Sequence, residues 1–271
     1  GGPAAGRRDA APSGAGGSRT GRSEHDSPLY SGPMSGHSKW ANIKRKKGLK
    51  DREKGNVFSK MSRLITLAVI QGGGITDPQN NFRLRLAIDK AKSFNMPKEN
   101  IDRAIEHGVD DNAQNLTETI YEAFTHDGVA LLIVATTDNP NRTTSEVRNV
   151  LEKFGAKLGH QGSVLYLFKK MAYITVNKKE ATEDDVYAFA DKVEAFDMDQ
   201  DEEDYFIFYS YDNLGLSRSI LPTPSATPEL IFRPQAGIPI PKERFDRLLS
   251  LIDELEDMDD VQNVYHNATA M

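Results

Sequence analysis

From residue 57 onward the apolar positions keep a helical rhythm. Val57, Phe58, Met61, Leu64, Ile65 and Ala68 recur at three- and four-residue steps, the spacing that lays one apolar stripe along a helix. Gln71-Gly72-Gly73-Gly74 closes that stripe, because consecutive glycines weaken a helix and permit positive φ. A second helix is predicted over about 81–94, with Leu84, Ile88 and Ala91 inward and Arg83, Arg85, Lys90 and Lys92 outward. Met96-Pro97 opens a third, with Pro97 in the first helical position, Ile101, Ala104 and Ile105 buried, and Gly108 past its end. Residues 34–113 therefore read as an all-helical unit.

The rhythm then changes to strands. Segments 121–124 and 129–136 read as a pair joined at His126-Asp127-Gly128, the second apolar and β-branched enough to be central. Thr143 followed by Glu146 has the form of a capping box, and Val147, Val150, Leu151 and Phe154 keep helical spacing up to Gly155. Segment 163–168 is predicted as a third strand. Pro241 starts a helix that buries Phe245, Leu248, Leu249 and Ile252, and a strand over 261–265 closes the chain. Between these pieces the alternation repeats: strand 172–176, acidic helix 182–196, strand 205–209, a short helix over 214–221 and strand 229–232. Leu221-Pro222-Thr223-Pro224-Ser225-Ala226-Thr227-Pro228 is a loop, since three prolines fit neither a helix interior nor a central strand. The expected fold is α+β in three domains: a helical N-terminal bundle over 34–113, a small α+β domain over 114–168 plus 237–271, and an acidic α+β domain over 169–236 inserted in it. Residues 1–33, rich in Gly, Ala, Ser and Pro, read as a disordered, cloning-derived leader before a natural start at Met34. A transit-peptide remnant is the alternative; it would also carry an apolar helical face, and only Leu29 and Tyr30 there are large and apolar.

Charge changes the picture more than composition does. The net charge of −6 argues against a polyanionic partner, yet it averages two opposed segments. Between Lys39 and Arg63 ten basic residues stand against two acids, a balance of +8; between Glu180 and Asp204 twelve acids stand against Lys192, a balance of −11. One segment is suited to meet phosphate and the other to repel it. Trp40 and Phe58 among the basic residues add surfaces on which an unpaired base could stack. No apolar run approaches the roughly 20 residues of a membrane span. With no cysteine, disulfides, thiolate metal sites and a cysteine nucleophile are excluded.

Catalytic signals fail one by one. Gly72-Gly73-Gly74 ends a helix and lacks the Lys-Ser or Lys-Thr of a phosphate loop, and Gly155, Gly159 and Gly162 are wrongly spaced for a dinucleotide fingerprint. Asp197, Asp199 and Asp201 resemble the start of a calcium loop, but Glu202 and Phe208 stand where Gly and Glu are needed. His37, His107, His126, His160 and His266 are isolated, and the paired carboxylates, such as Asp259-Asp260, are adjacent in the manner of exposed turns. Asp138-Asn139-Pro140-Asn141-Arg142 and Gln262-Asn263-Val264-Tyr265-His266-Asn267 remain as polar clusters at the ends of strands, where binding residues concentrate. The expectation is a protein that is not an enzyme, with no cofactor and no metal; a metal-dependent nuclease using scattered carboxylates is the alternative.

Gly36-His37-Ser38-Lys39-Trp40-Ala41-Asn42-Ile43-Lys44 closely resembles the opening of the YebC/PmpR family. So do Arg85-Leu86-Ala87-Ile88-Asp89-Lys90-Ala91, Asn141-Arg142-Thr143, Glu146-Val147-Arg148 and Asp259-Asp260-Val261-Gln262-Asn263-Val264-Tyr265-His266-Asn267 with theirs. The resemblance runs from Ser35 to Asn267. It implies a helical domain followed by two α+β (ferredoxin-like) domains, the third inserted in the second, and a cytoplasmic role in gene expression. Bacterial members of the family are described as promoter-binding transcriptional regulators, a mitochondrial relative as a translational activator, and other relatives are linked to ribosomes stalled on proline runs. The chain departs from the family pattern mainly in the inserted domain, where the acidic run and the three-proline loop stand. The candidate nucleic-acid-binding residues are His37, Lys39, Trp40, Lys44, Arg45, Lys46, Lys47, Lys50, Lys54, Lys60, Arg63, Asn141, Arg142 and Arg148. The expected partners are DNA, ribosomal RNA or tRNA, and the large ribosomal subunit, with no membrane, for a monomer or weak oligomer.

Overall fold

The computed structural model describes residues 54–110 and 115–271, together with Gly1. Three helices come first: α1 (Lys54–Gln71), α2 (Phe82–Ser93) and α3 (Lys98–His107). Met61, Ile65, Ala68 and Val69 of α1 pack on Leu84, Ala87, Ile88 and Ala91 of α2 and on Ile101 and Ala104 of α3. α1 stops where Gly73 and Gly74 take φ of +69° and +81°. Asn81 caps α2, its side-chain oxygen accepting the Leu84 N–H at 3.0 Å. Pro97 is the N-cap of α3, one position earlier than its fixed φ suggests. Gly108 ends α3 against α1, where a Cβ would lie 2.6 Å from that of Val69.

Seven elements make the next unit and its interruption: β1 (Thr117–Phe124), β2 (Ala130–Thr137), α4 (Pro140–Lys153), β3 (Lys157–Leu158), β4 (Phe168–Asn177), α5 (Glu183–Lys192) and β5 (Asp197–Gln200). β6 (Asp204–Tyr209), α6 (Leu214–Ser219), β7 (Pro228–Pro234), β8 (Ile238–Ile240), α7 (Lys242–Glu256), β9 (Val261–His266) and β10 (Ala268–Ala270) complete the chain. One sheet has the order β3-β1-β2-β9 and a second β5-β6-β4-β7, all antiparallel, while β8 and β10 form a parallel pair.

The sheets stack as the middle of four layers. Leu131, Ile133 and Ala135 of β2 face Val147 and Leu151 of α4 and Phe245, Leu248, Leu251, Ile252 and Leu255 of α7. From the opposite face of β2, Ala130, Leu132 and Val134 meet Met171 and Tyr173 of β4, Phe206 and Phe208 of β6 and Ile231 of β7. The alternate β4 residues, Ala172, Ile174 and Val176, face outward to Val186, Phe189 and Ala190 of α5. This explains why β2 is apolar along nearly its whole length: both its faces are covered and every residue in it is buried. Each fully buried Leu or Ile in these layers contributes roughly 1.5–3 kcal/mol.

Several boundaries differ from the sequence reading. Thr143 does not cap α4; Asn139 does, its side-chain oxygen accepting the Arg142 N–H at 3.2 Å, because Pro140 is preorganised for the first helical position and the helix starts a turn earlier. The strand expected over 163–168 is a turn followed by a 3₁₀ turn, Leu165–Leu167, and β4 begins only at Phe168. The cause is Glu122 of β1, whose carboxylate accepts the N–H groups of Gly162, Val164 and Leu165 at 2.5, 2.6 and 2.8 Å, taking donors a ladder would need. The acidic helix ends at Lys192, Glu194 takes a φ of +52°, and Asp197–Gln200 pairs with β6 as a strand. Among the described residues no helix is long and apolar enough to cross a membrane.

Candidate nucleic-acid interface

His37, Lys39, Trp40, Lys44, Arg45, Lys46, Lys47 and Lys50 lie outside the described residues. Lys54 is the first residue of α1, and the basic run continues along that helix to Lys60 and Arg63. Three residues apart, these two share a helical face, and the face is turned onto the junction between α7 and β9. The Lys60 ammonium donates to the backbone carbonyl of Glu256, at the C-terminal end of α7 where carbonyls lack helical partners. Burial pushes the Lys60 pKa down, against the attraction of Glu256, Asp257 and Asp259. Arg63 Nη1 lies 2.6 Å from Asp260 Oδ1 and also reaches the Thr136 carbonyl, at 3.4 Å.

Asp260 is the centre of this junction. It is 4% exposed, contrary to the reading of Asp259-Asp260 as an exposed turn. Besides Arg63 it accepts Arg142 Nη2 at 3.0 Å and Thr143 Oγ1 at 2.5 Å, while its own carbonyl accepts the Thr136 N–H at 2.8 Å. Burial alone would raise its pKa; the hydrogen bonds from Thr143 and Arg142 and the charge of Arg63 outweigh it and hold the carboxyl below the usual range. Thr137 completes the network, its hydroxyl 2.8 Å from that of Thr143 and accepting the Asn139 N–H at 3.0 Å. Through its carboxylate and its carbonyl, this one residue at the entrance to β9 thus joins α1, β2 and the start of α4. Arg142 also donates to Asp138 at 2.8 Å, and its two carboxylate partners raise its already high pKa.

Lys60, Arg63 and Arg142 are therefore brought together, but around protein groups. Asn141 and Arg148 lie seven residues apart on the exposed side of α4, and Arg148 forms no ion pair among the described residues. The second polar cluster is partly internal: buried Asn267 accepts the Ala130 N–H through its side chain at 2.8 Å, and His266 Nδ1 accepts the Ala268 N–H at 3.1 Å. Among the described residues no group of three or more His, Asp or Glu side chains is placed to hold a metal ion. The sequence reading missed Asp260 and Glu256 as partners of the basic helix. Nothing local marks them, and the sole signal was that Asp259-Asp260 belongs to the C-terminal motif.

Comparison with known proteins is consistent along nearly the whole described chain. Residues 38–111 match the TACO1/YebC N-terminal domain, and residues 116–268 match the second and third TACO1/YebC domains. A protein of Borrelia duttonii named as a probable transcriptional regulatory protein is 44% identical over 237 residues, covering 86% of this chain and 97% of its own. A Caldanaerobacter subterraneus protein of the same description is 41% identical over 239 residues, covering 86% and 98%. The crystal structure of a conserved hypothetical protein from Aquifex aeolicus superposes with a TM-score of 0.76 at 39% identity, covering 86% of this chain and 97% of that one.

Proposed function

The chain belongs to the TACO1/YebC family, and from that premise we propose that it is a non-enzymatic, nucleic-acid-binding regulator of gene expression. The observation that carries this reading is the segregation of charge, +8 between Lys39 and Arg63 against −11 between Glu180 and Asp204. The naming of its relatives as probable transcriptional regulatory proteins supports a regulatory role. α1, which ends the basic run, is fixed to the α+β layers through Lys60 and Arg63, so the residues before it lead into an anchored helix. The basic segment engages phosphate and the layered domains set its position.

Binding of this kind suits a ribosomal site better than a promoter. Reading bases requires side chains placed in a groove, whereas phosphate contact and shape suffice in a folded RNA. The expected result is a preference for promoter over scrambled duplex below the roughly 10³-fold typical of specific DNA readers. Co-sedimentation with large ribosomal subunits at physiological salt is expected alongside it. Replacing Lys44, Arg45, Lys46 and Lys47 together by Glu abolishes that co-sedimentation and flattens the slope of log K against log salt by up to about 0.9 per lost contact on duplex DNA. Strong promoter discrimination without ribosomes in the gradient returns the reading to transcription, and an unchanged salt slope in a folded variant removes the basic segment from it.

A further inference from the structure

Where α1 and α2 meet the two sheets there is a cleft of about 180 Å³. Its apolar walls come from the helical bundle and both sheets: Leu64 and Leu67 of α1, Leu86 of α2, Val134 of β2, Phe232 of β7 and Tyr265 of β9. Junctions between domains are where small-molecule sites form, with apolar walls and a few placed polar groups. The polar groups here are weighted toward donors: Arg83, Lys90, Lys170 and Gln262 stand against two acids, Glu229 and the exposed Glu118. Lys90 is 3.3 Å from Glu229, which also accepts the Tyr173 hydroxyl at 3.2 Å, so that acid is already satisfied. Arg83 donates to the neutral side chain of Gln71, and the Lys170 ammonium sits between the Phe232 and Tyr211 rings, 5.8 and 5.6 Å from their centres. Neither Arg83 nor Lys170 forms an ion pair among the described residues.

The backbone supplies the decisive feature. In the β2–β9 ladder Ile133 pairs with Val264 and Val134 with Asn263, but Ala135 pairs with Val261, so Gln262 is the extra residue of a β-bulge. A bulge turns a side chain out of the regular alternation, a device that recurs beside functional sites. Gln262 lines the cleft, and its Nε2 is buried with no hydrogen-bond partner among the described residues. A buried amide left unpaired is costly to the fold, and an acceptor from a ligand would satisfy it.

We propose that this cleft binds a small organic anion with a flat apolar body, an aromatic carboxylate being its simplest form. The ring lies among Leu64, Leu86, Phe232 and Tyr265. With the Gln262 amide turned so that Nε2, closed to solvent in the unliganded fold, faces the cleft, the carboxylate accepts from it and meets the positive charge of Lys170 and Arg83. Because the walls belong to the helical bundle and both sheets, an occupant holds the three together and raises the stability of the folded chain. This site is independent of the nucleic-acid reading.

The test is calorimetric titration of the full chain with 1-naphthoate, using uncharged 1-naphthamide as the control and no nucleic acid. One site per chain is expected, with naphthamide at least tenfold weaker. Gln262→Leu keeps the volume but removes the donor, so it weakens naphthoate at least tenfold while the melting temperature of the unliganded protein holds or rises. Lys170→Gln, at an exposed position, weakens naphthoate and leaves naphthamide unchanged. Absence of saturable naphthoate binding overturns the proposal, as does affinity that survives in both variants or is equal for the two compounds.

Discussion

Glu122 and Asp260 are both carboxylates with almost no exposed surface, 3% and 4%, and they are satisfied in opposite ways. Glu122 takes three backbone N–H groups from one short turn, Gly162 to Leu165, and so fixes where β4 begins. Asp260 takes side chains from segments far apart in the chain, Arg63, Arg142 and Thr143, and so fixes α1 against the α+β layers. In both, burial raises the pKa and hydrogen bonding more than reverses it. The difference is one of range: Glu122 shapes a turn within one domain, and Asp260 ties two domains together.

The sharpest break in this comparison is Glu122→Gln. The amide retains one acceptor oxygen for three donors and turns an NH₂ toward N–H groups, so a loss of about 2–3 kcal/mol is expected on chemical denaturation. Faster hydrogen exchange should be confined to Val164, Leu165 and their neighbours. Asp260→Asn is expected to cost less, about 1–2 kcal/mol. Breaking a buried pair costs more than that where both ions are dry, but Arg63 and Arg142 keep 30% and 43% of their side-chain surface in solvent. Its exchange signature should instead appear along α1 and at Thr136. Identical exchange patterns for the two variants would erase the distinction between local and interdomain carboxylates.

Acid sharpens the same contrast. Both carboxyls have folded pKa values below the ordinary range of about 3.9–4.3, so their stabilisation is complete above that range and is lost as pH falls through the lower folded values. The thermal midpoint should therefore drop steeply below about pH 4, and each amide variant should flatten that drop. A midpoint of the unaltered chain that is level through this window contradicts the assignment.

The smallest effects separate the arginines. Arg142→Ala removes one of several donors to Asp260 from a side chain that keeps 43% of its surface in solvent, so a loss of no more than about 1 kcal/mol is expected. Arg148→Ala, with no ion pair among the described residues, should leave the melting temperature unchanged and weaken RNA binding in a fluorescence anisotropy titration. If Arg142→Ala instead weakens RNA binding with full stability, its guanidinium serves phosphate more than Asp260.

Helices α1 to α4 and α7, the strands β1, β2, β6 and β9, and the α+β class were legible in the sequence, because the faces of an element repeat at its own local period and burial selects apolar residues for those faces. Boundaries were less so. Thr143 carries the chemistry of a cap, yet Pro140 starts the helix earlier and leaves the Thr143 hydroxyl to Asp260, 117 residues away. Leu165 and Leu167 suggest a strand, yet the donors of that turn are claimed by Glu122 across 40 to 43 residues. The basic character of the segment from Lys39 to Arg63 is a property of the chain alone, as is its contrast with the acids that follow Glu180. What the tertiary structure alone decided is how those charges are used: Arg63 meets Asp260 across 197 residues, Lys60 meets the end of α7 across 196, and a bulge turns Gln262 into a cleft walled by the first helices and both sheets. Periodicity is a property of the local backbone, whereas the partner of a charge depends on which distant surfaces the packed layers bring within hydrogen-bond reach.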